Sequence, residues 1–260
     1  MTGRVLALTR AIPDSFVDAL AAVRPEPPID VARARAQHAA YRVALAGLGA
    51  EVVVLAADER YPDGCFIEDT AVVAAGLALI TRPGAPSRRG EGDAVAAALA
   101  DRMDVATMDA PATLDGGDCL RLGGTLYVGR SARTNAAGIA RAAEVFAPRG
   151  LRVVALDLPP GVLHLKCVCA PLGDDRVLLA RGTLAADVFA GVRPIWVPPE
   201  EAYAANAVAI GAGVLVADGF PRTREALEAA GFTVHAVPTT EVRKADGSLT
   251  CLSILVPADG

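Results

Sequence analysis

The chain has 260 residues, enough to bury a sizeable core as one large α/β domain or two small ones. Apolar residues make up 53% of it but aromatic residues only 4%, so any core is aliphatic, as suits a protein of helices and sheets. A net charge of −5 without a basic run excludes nucleic acid and anionic membrane as main partners and leaves small polar ligands open.

In chain order, RVLALT and EVVVLA read as strands, and between them Tyr41, Leu45 and Leu48 mark one face of a helix that Gly49 ends. The N-terminal MTGRVLALTR has too few apolar residues for a signal-peptide core of about 7 to 15, which points to a cytoplasmic protein. The longest apolar runs, Ala71 to Ile80 and Ala207 to Ala217, fall short of the roughly 18 residues of a membrane span. RTNAAGIARAAEVFAPRG offers Asn135 as an N-cap, a stripe of Ile139, Ala142 and Phe146, and a terminating Pro148. PRTREALEAAG starts at Pro221 and closes at Gly231, the usual asymmetry of a helix. Short Pro-rich loops, RPEPPID and VPPEE, do not divide the chain, so residues 1–260 are expected to form a single domain.

Between the helices, EDTAVVAAGLALIT, GDCLRLGGTLYVG, LKCVCAPLGDDRVLLA, ANAVAIGAGVLVADG and TCLSILVP each open on a polar or reactive residue and run into an apolar strand. The first four then turn at Gly, or at Gly-Asp-Asp, into a second strand. With Asp69, Asp118, Lys166, Asn206 and Cys251 as equivalent openings, the steps are 49, 48, 40 and 45 residues. Five copies of one unit can close into a ring, which brings the openings together around an axis.

Near those openings lie the parts of a thiol hydrolase: Cys251 as nucleophile, His164 to accept and return protons, and Asp115 to fix the histidine's tautomer. Each alone reads as structural, and their common place in the repeat is what joins them. Cys119, Cys167 and Cys169 are read as small buried hydrophobes and Cys65 as a residue that could line a pocket. His38 and His235 fall in surface-like segments and receive no role. Five cysteines without paired CxxC motifs signal neither a disulfide framework nor a structural zinc site. YPDGCFIEDTAVV sets Asp63, Glu68 and Asp69 ahead of a strand, where, if buried, they make a pocket for a cation, and a planar guanidinium matches them. Arg88 and Arg133 are then candidates for the anionic end of the same ligand.

FIEDTAVV, LITRPGAPSRR, TLDGGDCL, VGRSARTN, HLKC and DGSLTC together resemble, in order and spacing, the dimethylarginine dimethylaminohydrolases of the guanidino-modifying (pentein) superfamily, related to amidinotransferases and arginine deiminases. The resemblance runs nearly the full length and includes DVARARAQHAAY. It implies an α/β fold, the pentein five-bladed α/β propeller of pseudo-fivefold ββαβ units around a central active site. It implies Cys251 as nucleophile, His164 as general acid/base and Asp115 as the acidic residue beside it. Asp69 would hold the guanidinium with Glu68 in support, Asp63 and the Ile12 carbonyl the α-ammonium, and Arg88 and Arg133 the α-carboxylate. Ile12 stands where Leu is more usual, and Ala245 where a bulkier apolar residue lies near the nucleophile, which affects pocket shape.

The activity so implied is hydrolysis of asymmetric dimethylarginine and monomethylarginine to citrulline and dimethylamine or methylamine through a covalent thiouronium intermediate. It needs a small-molecule substrate, no metal, no organic cofactor, no nucleic acid and no membrane, and it leaves a homodimer open. The rivals are an arginine or agmatine deiminase and a non-catalytic binder of the same architecture, such as a ribosome anti-association factor. Paired Arg88 and Arg133 disfavour agmatine, which has no carboxylate, and the chain has no room for the helical insertion of arginine deiminases. The joint presence of Cys251, His164 and Asp115 speaks against a mere binder.

Overall fold

Five three-stranded sheets make up the computed structural model, which describes residues 4–173, 175–185 and 187–257. The strands are β1 (Leu6–Arg10) and β2 (Glu51–Leu55); β3 (Ala71–Ala74), β4 (Leu77–Ile80) and β5 (Asp104–Thr107); β6 (Cys119–Leu122), β7 (Thr125–Arg130) and β8 (Arg152–Asp157); β9 (Cys169–Pro171), β10 (Arg176–Ala180) and β11 (Arg193–Val197); β12 (Val208–Ile210), β13 (Gly213–Ala217) and β14 (Thr233–Val237); and β15 (Ile254–Val256). In every sheet the middle strand pairs antiparallel with one neighbour and parallel with the other. The antiparallel pair is a hairpin in four sheets. In the sheet of β1 it is completed by β15, with Leu6 opposite Val256 and Leu8 opposite Ile254, so the two ends of the chain share a blade.

A parallel pair needs a long crossover, and four of the five contain an α-helix: α1 (Val31–Gly47), α2 (Gly92–Ala100), α3 (Ala136–Phe146) and α4 (Pro221–Ala229). A short α5 (Thr240–Arg243) lies ahead of Cys251. The caps match the residues that announce them. Asn135 accepts from Gly138 N at 2.8 Å, Gly49 and Gly231 take positive φ beyond α1 and α4, and α3 gives way to a short 3-10 turn containing Pro148. Among the described residues the β10–β11 crossover has no α-helix; Phe189 fills the space instead, edge-on to Tyr127 at 5.0 Å between ring centroids.

The aliphatic core is divided into five clusters, each between neighbouring blades. Leu6, Leu8 and Ile254 meet Ala78 and Ile80 under Val95 and Leu99 of α2, while Leu79 meets Val128 under Ala142 and Phe146 of α3. Each helix thus covers a seam, which is why a chain this poor in aromatics can bury enough surface. No helix among the described residues is long and apolar enough to cross a membrane.

Just before β3, β6, β9, β12 and β15 the chain makes a 3-10 turn: Ile67–Thr70, Gly116–Asp118, Leu165–Cys167, Pro199–Ala205 and Thr250–Leu252. The five repeat openings lie in or directly after these turns, and the turns meet around the axis. One bond recurs. Asp69 Oδ1 accepts from Gly117 N at 2.9 Å, Asp118 Oδ1 from Leu165 N at 3.0 Å, and Asn206 Oδ1 from Thr250 N at 2.9 Å. In each case the opening residue of one repeat clasps the backbone just before the next opening.

Candidate active site

A cavity of about 940 Å³ at the axis is lined by Asp63, Asp69, Arg88, Asp115, Arg133, His164, Ala245 and Cys251. Cys251 sits half-buried in its 3-10 turn, whose neighbour Thr250 is fixed on three sides. Thr250 N donates to Asn206 Oδ1, Asn206 Nδ2 donates to Thr250 Oγ1 at 3.0 Å, and Thr250 Oγ1 donates to Glu68 Oε2 at 2.7 Å. Burial, followed by Glu68, Asp69 and Cys167, pushes the Cys251 thiol well above its ordinary value. The resting group is a thiol.

His164 lies 3.1 Å from Asp115 through Nε2, and Asp115, fully buried, is held by Gly84 N at 2.8 Å. Burial works to lower the imidazole's proton affinity, but Asp69, the hydrogen bond to Asp115, and the charge of Asp118 outweigh it and raise the pKa to about 9. At neutral pH His164 is therefore a cation with a proton to give. The glycines of LDGGD and TRPGAPS make this approach feasible. A Cβ on Gly117 would lie 2.8 Å from His164 Nδ1 and 2.9 Å from Asp69 Oδ1, and one on Gly84 would lie 2.4 Å from the Arg133 backbone.

The three carboxylates of the acidic segment are all buried, but two already hold cations of the protein. Glu68 Oε1 pairs with Lys166 Nζ at 2.6 Å; Glu68 does not line the large cavity but faces a second one of about 250 Å³. Asp69 Oδ2 pairs with Arg88 Nη1 at 2.6 Å. Despite its burial, Asp69 is held below the usual carboxylate range by His164 and Arg88. Asp63 has no such partner. Among the described residues its carboxylate accepts only Leu20 N, at 3.1 Å, and burial raises it, against the pull of Arg88.

Arg88 is 5% exposed and nearly saturated, with Nε and Nη2 on Glu91, Nη2 on Phe66 O and Nη1 on Asp69. One N–H on Nη1 is left over. Arg133 is half-buried on the cavity wall, with its backbone N–H on Ser131 Oγ at 3.0 Å.

The family model for eukaryotic N,N dimethylarginine dimethylhydrolase matches residues 19–188. The N(G),N(G)-dimethylarginine dimethylaminohydrolase of Pseudomonas aeruginosa is 37% identical over 92% of this chain and 94% of its own. The chain belongs to the dimethylarginine dimethylaminohydrolase family. A crystal structure of the Pseudomonas aeruginosa enzyme, as a cysteine-to-serine variant with citrulline, superposes with a TM-score of 0.92 at 35% identity, covering 98% of this chain and 99% of the other. A dimethylarginine dimethylaminohydrolase with a histidine-to-glycine change, as an adduct with S-methyl-L-thiocitrulline, does so equally, with a TM-score of 0.92, 35% identity, and 98% and 100% coverage. The five-bladed pentein architecture is thereby common to this chain and to solved members of the dimethylarginine dimethylaminohydrolase family.

Against the family pattern set out from sequence, Ile12 is displaced. Its side chain is in the core at 2% exposure and its carbonyl accepts Arg35 Nε at 3.0 Å, so it does not line the cavity. Leu20, Ala21 and Ala22 line it instead, on a loop tied down by Leu20 N to Asp63 and by Ala22 N to Asp246 Oδ2 at 2.6 Å. Backbone contacts of an irregular loop leave no periodic signal, which is why composition and pattern miss them. Cys167 is also displaced from its sequence reading. It lies in a 3-10 turn rather than a strand, so it faces the cavity while Cys169 is buried, and burial lifts its thiol to about 11. Cys65 is buried in the core and does not line the cavity. Tyr203 and Arg243, with the guanidinium 4.4 Å from the ring centroid, form a further part of the cavity wall that no motif announced.

Proposed function

We propose that residues 1–260 act as one catalytic domain that hydrolyses Nω-methylated arginines to citrulline and the methylamine, with Cys251, His164 and Asp115 as its catalytic residues. The observation that carries this is His164, backed by Asp115 at 3.1 Å, opening into the same cavity as Cys251 and Asp69. Substrate guanidinium would take the free lone pairs of Asp69, and its positive charge beside Cys251 favours loss of the thiol proton to solvent. The thiolate attacks the guanidinium carbon. As the C–N bond to dimethylamine breaks, His164 passes its proton to the departing nitrogen and leaves a thiouronium on sulfur. Neutral His164 then takes a proton from water as it adds to the same carbon, and collapse to the urea of citrulline releases the sulfur.

At the other end, Asp63 and the Leu20–Ala22 loop are suited to an α-ammonium, and Arg133 to an α-carboxylate. Arg88 has at most one N–H for that carboxylate, so its main part is to hold Asp69. The deciding experiment supplies dimethylarginine, monomethylarginine, arginine and agmatine and follows citrulline, amine and ammonia. Citrulline with dimethylamine or methylamine is expected, and Cys251→Ser should abolish it while leaving folding intact. Ammonia from arginine or agmatine as the dominant product would favour a deiminase instead.

A further inference from the structure

Asp118, the last residue of LDGGD, is fully buried and bonds two segments that each carry a site residue. Its Oδ1 accepts the N–H of Leu165, which follows His164, at 3.0 Å. Its Oδ2 accepts the hydroxyls of Ser131 and Thr134, both at 2.6 Å, and these bracket Arg133. Ser131 Oγ in turn accepts the N–H groups of Arg133 and Thr134 at 3.0 and 3.2 Å, while Thr134 Oγ1 accepts the N–H of Asp115 at 3.2 Å. The Leu165 contact is the clasp that Asp69 and Asn206 also make, and belongs to the architecture. The hydroxyl pair has no counterpart at those two openings, and links the carboxylate to Arg133 on one side and Asp115 on the other.

We propose that Asp118 is a positioning residue for the hydrolysis, one carboxylate that sets both the imidazole of His164 and the backbone that aims Arg133. This rests on the roles given to those two residues above. Three donors converge on the carboxylate, so the site demands a group that only accepts. An asparagine offers one acceptor atom, and its NH2 must face either Leu165 N–H or the two hydroxyls. The Ser131 hydroxyl cannot reverse to meet an NH2, because both its lone pairs already serve the N–H groups of Arg133 and Thr134, while Thr134 Oγ1 has one lone pair on the Asp115 N–H. Nor is there slack nearby, since a Cβ on Gly129 would already lie 2.9 Å from Oδ1. The charge matters as well: Asp69, Asp115 and Asp118 are the carboxylates that favour the protonated His164.

The test compares the parent chain with Asp118→Asn and Ser131→Ala. It uses steady-state kinetics on dimethylarginine across pH and NMR titration of the His164 ring, one of only three histidines in the chain. Asp118→Asn is expected to lower kcat about tenfold to hundredfold, to raise KM, and to move the His164 midpoint to lower pH. Ser131→Ala, which removes the hold on the Arg133 backbone but leaves the charge of Asp118 and its clasp on Leu165 in place, is expected to raise KM about tenfold with kcat within about threefold and the midpoint unmoved. A folded Asp118→Asn with parental kinetics and midpoint would overturn the proposal, and so would a loss of kcat with the midpoint and KM unchanged. If Asp118→Asn fails to fold, Ser131→Ala decides, and an unchanged KM counts against the proposal. Absence of methylarginine turnover in the parent defeats the functional reading alone, because the NMR midpoint still reads Asp118's effect on His164.

Discussion

At the scale of single residues, the two arginines that the motifs present as a pair do different work. Arg88 is enclosed by Asp69 and Glu91, and burial's downward pull on its proton affinity is more than offset by those two charges. Arg133, by contrast, is half-buried and lines the cavity. Arg133→Ala should therefore reduce kcat/KM for methylarginine by about 10- to 150-fold, the worth of one charge-assisted hydrogen bond, and hardly affect methylated agmatine, which lacks the carboxylate. Arg88→Ala should damage both substrates and lower stability by about 3–5 kcal/mol, because it strands two buried carboxylates. Equal effects of Arg133→Ala on the two substrates would remove it from the carboxylate end. His164 makes a second prediction at this scale. Its raised pKa means that the acid is available below about 9 and is lost above it. The kcat/KM profile should fall on an alkaline limb near that pH, and replacing the leaving amine with a thiolate, which needs no proton, should remove the limb. A limb that persists with the thiolate leaving group would show that another group titrates.

At the scale of elements, α1 carries a buried histidine that its pattern does not reveal. His38 is 2% exposed, stacked near Tyr41, with Nε2 lacking a hydrogen-bond partner among the described residues; burial, then the charge of Arg42, lowers its pKa to about 4. The sign follows from linkage. An unfolded histidine takes its proton near 6.5 and the folded one near 4, so stability falls as pH drops through that window, by about 2 kcal/mol between pH 7.5 and 5. His38→Leu should flatten this dependence in urea melts at the two pH values, and an unchanged slope would show that other groups dominate. The sequence reading places His38 in a surface-like segment, whereas α1 is buried on an arc wide enough to include His38 and the polar Gln37, which bonds Thr240 and Glu241. What was legible followed from local chemistry: the Asn135 cap, the glycine stops and the hairpins were all readable from a few neighbouring residues. The Glu68–Lys166 pair was not, because partners 98 residues apart are brought together by ring closure, nor was Asp69–Arg88, whose partners sit in separate 3-10 turns on either side of β3 and β4. The equivalence of the openings was legible because it is a spacing, and the clasp bonds show what that spacing serves.

At the scale of the whole molecule, catalysis depends on a ring with no independent centre. Cys251 is positioned from one side by Asn206 and Glu68 through Thr250, and is followed two residues on by Ser253, whose hydroxyl meets Tyr41 of α1 at 2.7 Å. Directly after that, β15 enters the sheet of β1, with Ile254 and Val256 buried between the first two blades. The five seam clusters share blades, so opening one seam uncovers a face of the sheets on both sides. This favours unfolding as one unit rather than blade by blade. The single tryptophan, Trp196, lies on β11 in the fourth blade and reports on the ring far from the β15 closure in chain order. Ile254→Ala should cost about 2–5 kcal/mol by the cavity it leaves at the first seam. Under a cooperative ring, that substitution moves the urea midpoint of Trp196 fluorescence and the midpoint of activity loss together, by the same amount and with the same slope. Were the closing blade to open separately, activity would disappear at lower urea while Trp196 kept its parental midpoint, and the seam would then be a local latch on Cys251 rather than part of one folding unit.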